Sequence, residues 1–291
     1  MSEEQRLERR RAERQRKVRR RRLAAGAIAI AALAVLAAAA LAYRHFHRDT
    51  PPPVALKTTT VTIPEGYSRS QTAALAREDG LRGDYVKASV HSRYLNPAGY
   101  GGKDAKNLEG FLFPDTFELE KHAGAADLVQ LQLEDFKRRI KGVDMSYAKS
   151  KNLTIYDVLT IASIVEHEAG LPSQRKLVAA VFYNRLHEGM TLGSDATVRF
   201  ATGNFTKPLT ESELATESPY NTRLYAGLPP GPIDSPGLAS IEAAAHPAKV
   251  DYLFFVTAPG GSCRKLAFAK TEAEFQQDVA RYNATSCGEG E

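Results

Sequence analysis

The run Ile161-Ala162-Ser163-Ile164-Val165-Glu166-His167-Glu168-Ala169-Gly170 reads as the end of an apolar helix that carries two acids. Its start lies upstream, where Thr154 can cap the first turn with Asp157 at the reciprocal position of a capping box. Gly170 and Pro172 stop it. At about 100° per residue, Val158, Ala162 and Val165 mark the centre of a buried face. Glu166 lies about 80° to one side of that face and Glu168 about 80° to the other, while His167 faces away. Each carboxyl therefore borders apolar surface, where desolvation raises a carboxyl pKa as a general acid requires. Glu168 has a second push, because the unpaired carbonyls of a last helical turn disfavour a carboxylate. On spacing alone the competing reading is two solvated surface glutamates, and nothing in this run by itself specifies a substrate.

Downstream, Ser173 opens another helix with Leu177, Val178, Val181 and Phe182, ending at Gly189 and carrying Asn184 and Arg185. From Gly193 to Gly237 the chain is rich in Gly, Pro, Ser, Thr and Asn, so loops are expected to dominate. Asp195, Tyr220 and Asn221 fall there, ahead of Gly227-Leu228-Pro229-Pro230-Gly231-Pro232-Ile233. An aromatic ring and amide or acid groups on a proline-stiffened loop suit carbohydrate, through stacking and hydroxyl hydrogen bonds. Asn184, Asp195, Tyr220 and Asn221 are the candidate substrate-binding residues, with local turn chemistry as the competing reading for each. A helix is expected over Ser235 to Ala245. His246 reads as a packing or capping residue. Tyr252 to Thr257 is a strand with Phe268 on its partner, and Glu272 to Tyr282 a closing helix.

Upstream, Asp127 to Ile140 is amphipathic, with Leu128, Leu131, Phe136 and Ile140 on one stripe. Leu108 to Leu119 reads as strand and loop around Pro114-Asp115. Thr58 to Ile63 is a strand, Ser68 to Glu78 a helix and Asp84 to Tyr94 a second helix. Residues 44–57 form a linker stiffened by Pro51, Pro52 and Pro53.

Leu23 to Tyr43 is an uncharged run of about 21 residues, reaching about 30 Å as a helix, enough to cross a bilayer core. Arg19 to Arg22 abut it, which places the N-terminus in the cytoplasm. A retained anchor is favoured over a signal peptide, because the run is long for one and no small-x-small cleavage site follows it. Net charge is +5, and the excess sits in residues 1–22, which hold ten Arg and one Lys against four Glu. The rest is close to balanced, which argues against nucleic acid as a partner. Cys263 and Cys287 lack metal-site spacing, so no metal is expected. They are candidates for a disulfide closing a loop of roughly 25 residues, with two free thiols as the alternative.

Taken together in order, these segments resemble the endolytic murein transglycosylases, the MltG-like or YceG-like family. The motifs that carry the resemblance are Val61-Thr62-Ile63-Pro64-Glu65-Gly66, Leu108-Glu109-Gly110-Phe111-Leu112-Phe113-Pro114-Asp115-Thr116, Ser163 to Glu168, Val181-Phe182-Tyr183-Asn184-Arg185-Leu186, Ser194-Asp195-Ala196-Thr197-Val198, Tyr220-Asn221-Thr222, Gly227 to Ile233 and Ala243-Ala244-Ala245-His246-Pro247-Ala248. Departures from the family pattern fall at Ala196, at Asp234-Ser235-Pro236-Gly237 and at Glu274-Phe275. The resemblance implies an α+β chain: a basic tail at 1–22, a transmembrane helix at 23–43 and the linker, followed by a small LysM-like subdomain at 58–107 and a helix-rich catalytic domain at 108–291. It implies cleavage of the MurNAc–GlcNAc bond within peptidoglycan strands, leaving 1,6-anhydro ends, with no cofactor. Glu168 aligns with the family's catalytic acid, and Glu166 is the alternative or supporting acid. Peptidoglycan strands and the membrane are the implied partners, with cell-wall synthases as further candidates. The alternative function is a non-catalytic, membrane-anchored peptidoglycan-binding scaffold for such synthases.

Overall fold

The computed structural model describes residues 3–46, 58–259 and 263–285. The chain divides into two compact units, Met1–Leu56 and Lys57–Glu291.

In the first unit a single helix, α1 (Glu3–Phe46), runs through the basic segment as well as the apolar one. Its portion Arg14–Phe46 is long and apolar enough to cross a membrane. Pro51 to Pro53 lie outside the described residues.

The second unit is mixed α+β. Its first part is β1 (Thr58–Thr62), α2 (Arg69–Glu78), α3 (Tyr85–Ala88), β2 (Thr116–Glu120) and α4 (Ala125–Ile140). Ser68 caps α2 in a capping box with Gln71, and Asp84 caps α3. The helix expected over Asp84 to Tyr94 stops after Ala88, and Ser92 to Leu95 form a small bridge instead. The two strands pair antiparallel with Val61 opposite Phe117. Phe117 and Leu119 alternate inward while Thr116, Glu118 and Glu120 face out, the period-2 pattern of a half-buried strand. This pairing crosses the 107/108 boundary drawn from the sequence, because β2 lies beyond it.

Next come α5 (Ser146–Ser150), α6 (Ile155–Glu168), α7 (Arg175–His187), α8 (Asp195–Thr202), α9 (Glu211–Leu214) and α10 (Leu238–Ala245). The chain ends with the hairpin of β3 (Phe254–Thr257) and β4 (Leu266–Ala269), then α11 (Glu272–Thr285). Phe268 lies on the partner strand as expected, opposite Phe255. The segment expected to be loop from Gly193 to Gly237 contains α8 and α9.

Helix α6 is the centre of this unit. The Thr154–Asp157 capping box is present, and α10, α7 and α8 pack around the helix. Residues from Val158 to Val165 are buried on every side, not on one face. The polar side chains among them are satisfied internally: Thr160 Oγ1 donates to Tyr156 O (2.9 Å) and Ser163 Oγ to Thr160 O (2.8 Å). Each fully buried Val, Leu or Ile adds about 1.5–3 kcal/mol, so this helix anchors the unit. A ring cluster of Tyr100, Phe111, Phe136 and Tyr156, with centroids 5.2–5.8 Å apart, ties the first part of the unit to it. Gly110 (φ +84°) is required there, because a Cβ would collide with Pro232 of the proline loop. Cys263 is disulfide-bonded, and Cys287 lies outside the described residues.

Candidate active site

The last turn of α6 delivers three titratable side chains to three different surroundings. Glu166 turns toward α7 and α10. Arg175 Nη2 donates to its Oε1 (3.1 Å) and the Gly237 N–H to its Oε2 (2.9 Å). Arg175 also donates through Nε to Ser240 Oγ (3.0 Å) and stands 4.0 Å from Glu65. Glu166 is thus stitched into a bridge among three helices and the Pro64-Glu65-Gly66 turn. Gly66 (φ +76°) rests against Glu166 and His167, where only a residue at ease in the left-handed region sits without strain.

His167 is 40% exposed, yet its Nε2 lies 2.8 Å from Asp234 Oδ2. The ring therefore does not simply face away, because a buried acid from the following loop reaches it. The contact has ion-pair distance without hydrogen-bond alignment, and neither Asp234 oxygen has a hydrogen-bond partner. Burial pushes the Asp234 carboxyl up to about 6, against the pull of His167. Burial alone would lower the His167 pKa, but Asp234, Glu168 and Glu166 outweigh it and the net shift is upward.

Glu168 turns the other way. Ser194, the residue before α8, donates its hydroxyl to Glu168 Oε1 at 2.6 Å. Ser194 is itself fixed from below: its N–H donates to Thr222 Oγ1 (3.2 Å), which shares a hydrogen bond with Thr197 Oγ1 (2.9 Å). Arg185 lies close enough to act on the acid electrostatically, but its Nε and Nη1 are held by Leu253 O and Leu192 O (2.6 Å each). Burial raises the Glu168 pKa, and Asp195 reinforces it; Ser194, His167 and Arg185 oppose it without reversing the direction. A half-buried carboxyl at a helix C-terminus, beside a second acid, has its pKa raised.

The profile of the YceG-like family matches residues 10–281 of this chain. The chain belongs to the YceG-like family. It is 32% identical over 250 residues to the endolytic murein transglycosylase of Streptococcus pneumoniae strain R6, covering 77% of this chain and 44% of that protein. It is 35% identical over 176 residues to the endolytic murein transglycosylase of Bacillus subtilis strain 168, covering 60% and 48%. The chain thus spans about half the length of these relatives. A crystal structure of a YceG-like protein from Listeria monocytogenes superposes with a TM-score of 0.62 at 30% identity, over 76% of each chain.

In this YceG-like chain the four residues expected to bind sugar separate into two kinds. Asn184 Nδ2 donates to Val250 O (2.9 Å) and Tyr252 O (2.8 Å), which fixes the segment leading to β3. It also lines a cavity of about 330 Å³ with Tyr147, Lys151 and His187, and Glu168 is not part of that lining. Asn221 is fully buried, and its Nδ2 donates to Leu214 O and Thr216 O (2.9 Å each). The Nδ2 donors of both asparagines are thus engaged by backbone carbonyls. Tyr220 is half-buried against Phe200, with ring centroids 4.8 Å apart. Asp195 is exposed, with Arg223 Nη1 on its Oδ1 at 2.7 Å. Ser194, Arg175, Asp234 and Arg223 were not singled out from the sequence. For Ser194 a signal existed: a Ser-Asp pair ahead of the amphipathic Ala196-Thr197-Val198 is a helix start. His246 caps α10 and pairs with Asp144 (3.0 Å), as its packing reading expects.

Proposed function

We propose that this chain is a membrane-anchored lytic transglycosylase that cuts peptidoglycan strands internally, with Glu168 as both acid and base. The observation that carries this reading is the Glu168 carboxyl: half-buried, raised in pKa and oriented by the Ser194 hydroxyl. The kinship with endolytic murein transglycosylases supports the same substrate.

Protonated Glu168 gives its proton to the glycosidic oxygen between MurNAc and GlcNAc as the C1–O bond breaks. The muramic acid's own 6-hydroxyl then bonds to C1, and the Glu168 carboxylate takes the proton from that hydroxyl. The acid is restored and the product carries a 1,6-anhydro end. Glycosidases that use water need a second carboxyl to activate it or to form a covalent intermediate. An internal hydroxyl removes that need, which suits a site where Glu166 is already engaged by Arg175 and Gly237. Glu166 supports the helix end, and Asp195 and Tyr220 border the substrate.

The order β1-α2-α3-β2 with antiparallel strands supports a LysM-like glycan-binding unit, extended from 58–107 to Glu120 so that it includes β2. The basic residues before the apolar part of α1 favour a cytoplasmic N-terminus and an extracytoplasmic catalytic unit. That location would place the enzyme beside nascent strands and cell-wall synthases.

The test is digestion of purified peptidoglycan followed by product mass. Ends one water lighter than hydrolase products are expected from the wild type and absent with Glu168→Gln. Hydrated reducing ends would overturn the reading in favour of a muramidase.

A further inference from the structure

Among the described residues of the Lys57–Glu291 unit, the large apolar side chains most open to solvent are Val86, Leu224 and Tyr225. Two of these are consecutive, 47% and 48% exposed, and they follow Arg223 directly. Single exposed apolar residues are ordinary, but a rigid adjacent pair beside an acid site is not explained that way.

The turn that presents them is fixed at several points. The Asn221 carbonyl accepts the N–H groups of Leu224 and Tyr225 (3.1 Å each), and Asn221 Oδ1 accepts the Arg223 N–H (3.1 Å). Ala226 bridges antiparallel to Thr191, and the Gly193 N–H donates to Thr222 O (2.9 Å). Residues 222–226 therefore run beside 191–193, which lead directly into Ser194 and its bond to Glu168. Arg223 in turn holds Asp195, the neighbour of Ser194. The buried asparagine is the frame of this turn, and its exposed tip is the part free to meet a ligand.

We propose that the Arg223-Leu224-Tyr225 turn is a carbohydrate-binding rim of the Glu168 site. Tyr225 and Leu224 stack on the apolar face of an N-acetylated hexosamine, and Arg223 with Asp195 reaches its polar edge. Pyranose rings present C–H groups on their faces and hydroxyls around their edges. An aromatic platform with a charged border matches both surfaces. This assignment rests on the transglycosylase reading for the substrate class.

The test uses the full chain in detergent with soluble glycan strands. Tyr225→Ala is expected to raise KM about tenfold, the scale of one lost aromatic contact, with kcat within about twofold. Tyr225→Phe is expected to stay near wild type, since the ring face and not the hydroxyl carries the contact. In the non-cleaving Glu168→Gln background, adding Tyr225→Ala should weaken glycan pull-down by a similar factor. Leu224→Gln gives a second measurement should Tyr225→Ala lower the thermal midpoint. Unchanged KM and unchanged pull-down in both variants overturn the proposal. Tyr225-dependent pull-down from a wild type that makes no anhydro ends removes the transglycosylase reading and leaves the rim standing.

Discussion

Glu166 and Glu168 stand two residues apart on one helix end and meet opposite surroundings. Glu166 has a guanidinium and a backbone N–H, one on each oxygen. Glu168 has one hydroxyl and a neighbouring acid. Helical geometry alone turns the two carboxyls apart, and the groups that meet them give one an ion pair and leave the other raised in pKa. The sharpest test is to remove each acid in turn. Glu168→Gln should lower cleavage by roughly 100- to 10,000-fold, the usual worth of a general acid–base group, while glycan binding persists. Glu166→Gln should retain anhydro products at a reduced level. The reverse ranking, read by release of muropeptides, would exchange the two roles.

The second expected effect falls on stability. Arg175 is 15% exposed and Glu166 8%, so their pairing is largely shielded from water. Arg175→Met leaves Glu166 without its charge partner and should cost about 3 kcal/mol in denaturant unfolding. The variant should still make anhydro ends under conditions where it is folded. A loss of activity from a fully folded Arg175→Met would mean that Glu166 and Arg175 belong to the chemistry.

Glu109 extends the contrast to a third acid. It is buried with both oxygens on the Arg69 N–H, and burial pushes it up to about 8, against the pull of Arg69. A carboxyl raised on folding binds more protons in the folded state than in the unfolded one. Stability therefore falls as pH rises from its ordinary value toward the raised one. Asp234, raised to about 6, acts in the same direction across the lower part of that window. The expected slope between pH 5 and 8 is downward, up to roughly 1.4 kcal/mol per pH unit for a one-proton difference. Glu109→Gln should flatten it, as measured by unfolding midpoints across pH.

Much of the fold was legible because its signals are local. The Thr154–Asp157 box, the Gly170 stop and the placing of Phe268 on the strand beside β3 rest on residues near one another in sequence. What escaped depends on distant contacts. The pairing of β1 with β2 joins residues 54 apart in sequence, as the Thr62–Thr116 hydroxyl contact shows. The burial of Ser163 on the far side of α6 depends on the proline loop, whose Ile233 N–H donates to Ser163 Oγ across 70 residues. Helix α8 was hidden by the Gly and Pro content around it. At the candidate site, the place of Glu168 at the helix end was legible, whereas its bond to Ser194 spans 26 residues. The Nδ2 donors of Asn184 and Asn221 bond backbone carbonyls, partners that an amide suits as well as it suits sugar hydroxyls and that the sequence does not reveal.

The smallest expected effect probes what the Ser194 hydroxyl does for Glu168. It donates to the carboxyl, so it favours the ionised form and holds the pKa below where burial and Asp195 would set it. Ser194→Ala removes that donor, which moves the Glu168 pKa further up. A general acid is lost as pH rises through its pKa, so the alkaline limb of the kcat profile should shift to higher pH. The peak rate should fall only a few-fold, the scale of one hydrogen bond that orients the carboxyl. Ser194→Thr keeps the hydroxyl and should restore both the limb and the rate. A limb that stays in place with Ala, or moves to lower pH, would show that the hydroxyl does not act on the proton of Glu168. The contrast between the two acids would then rest on burial and Asp195 alone.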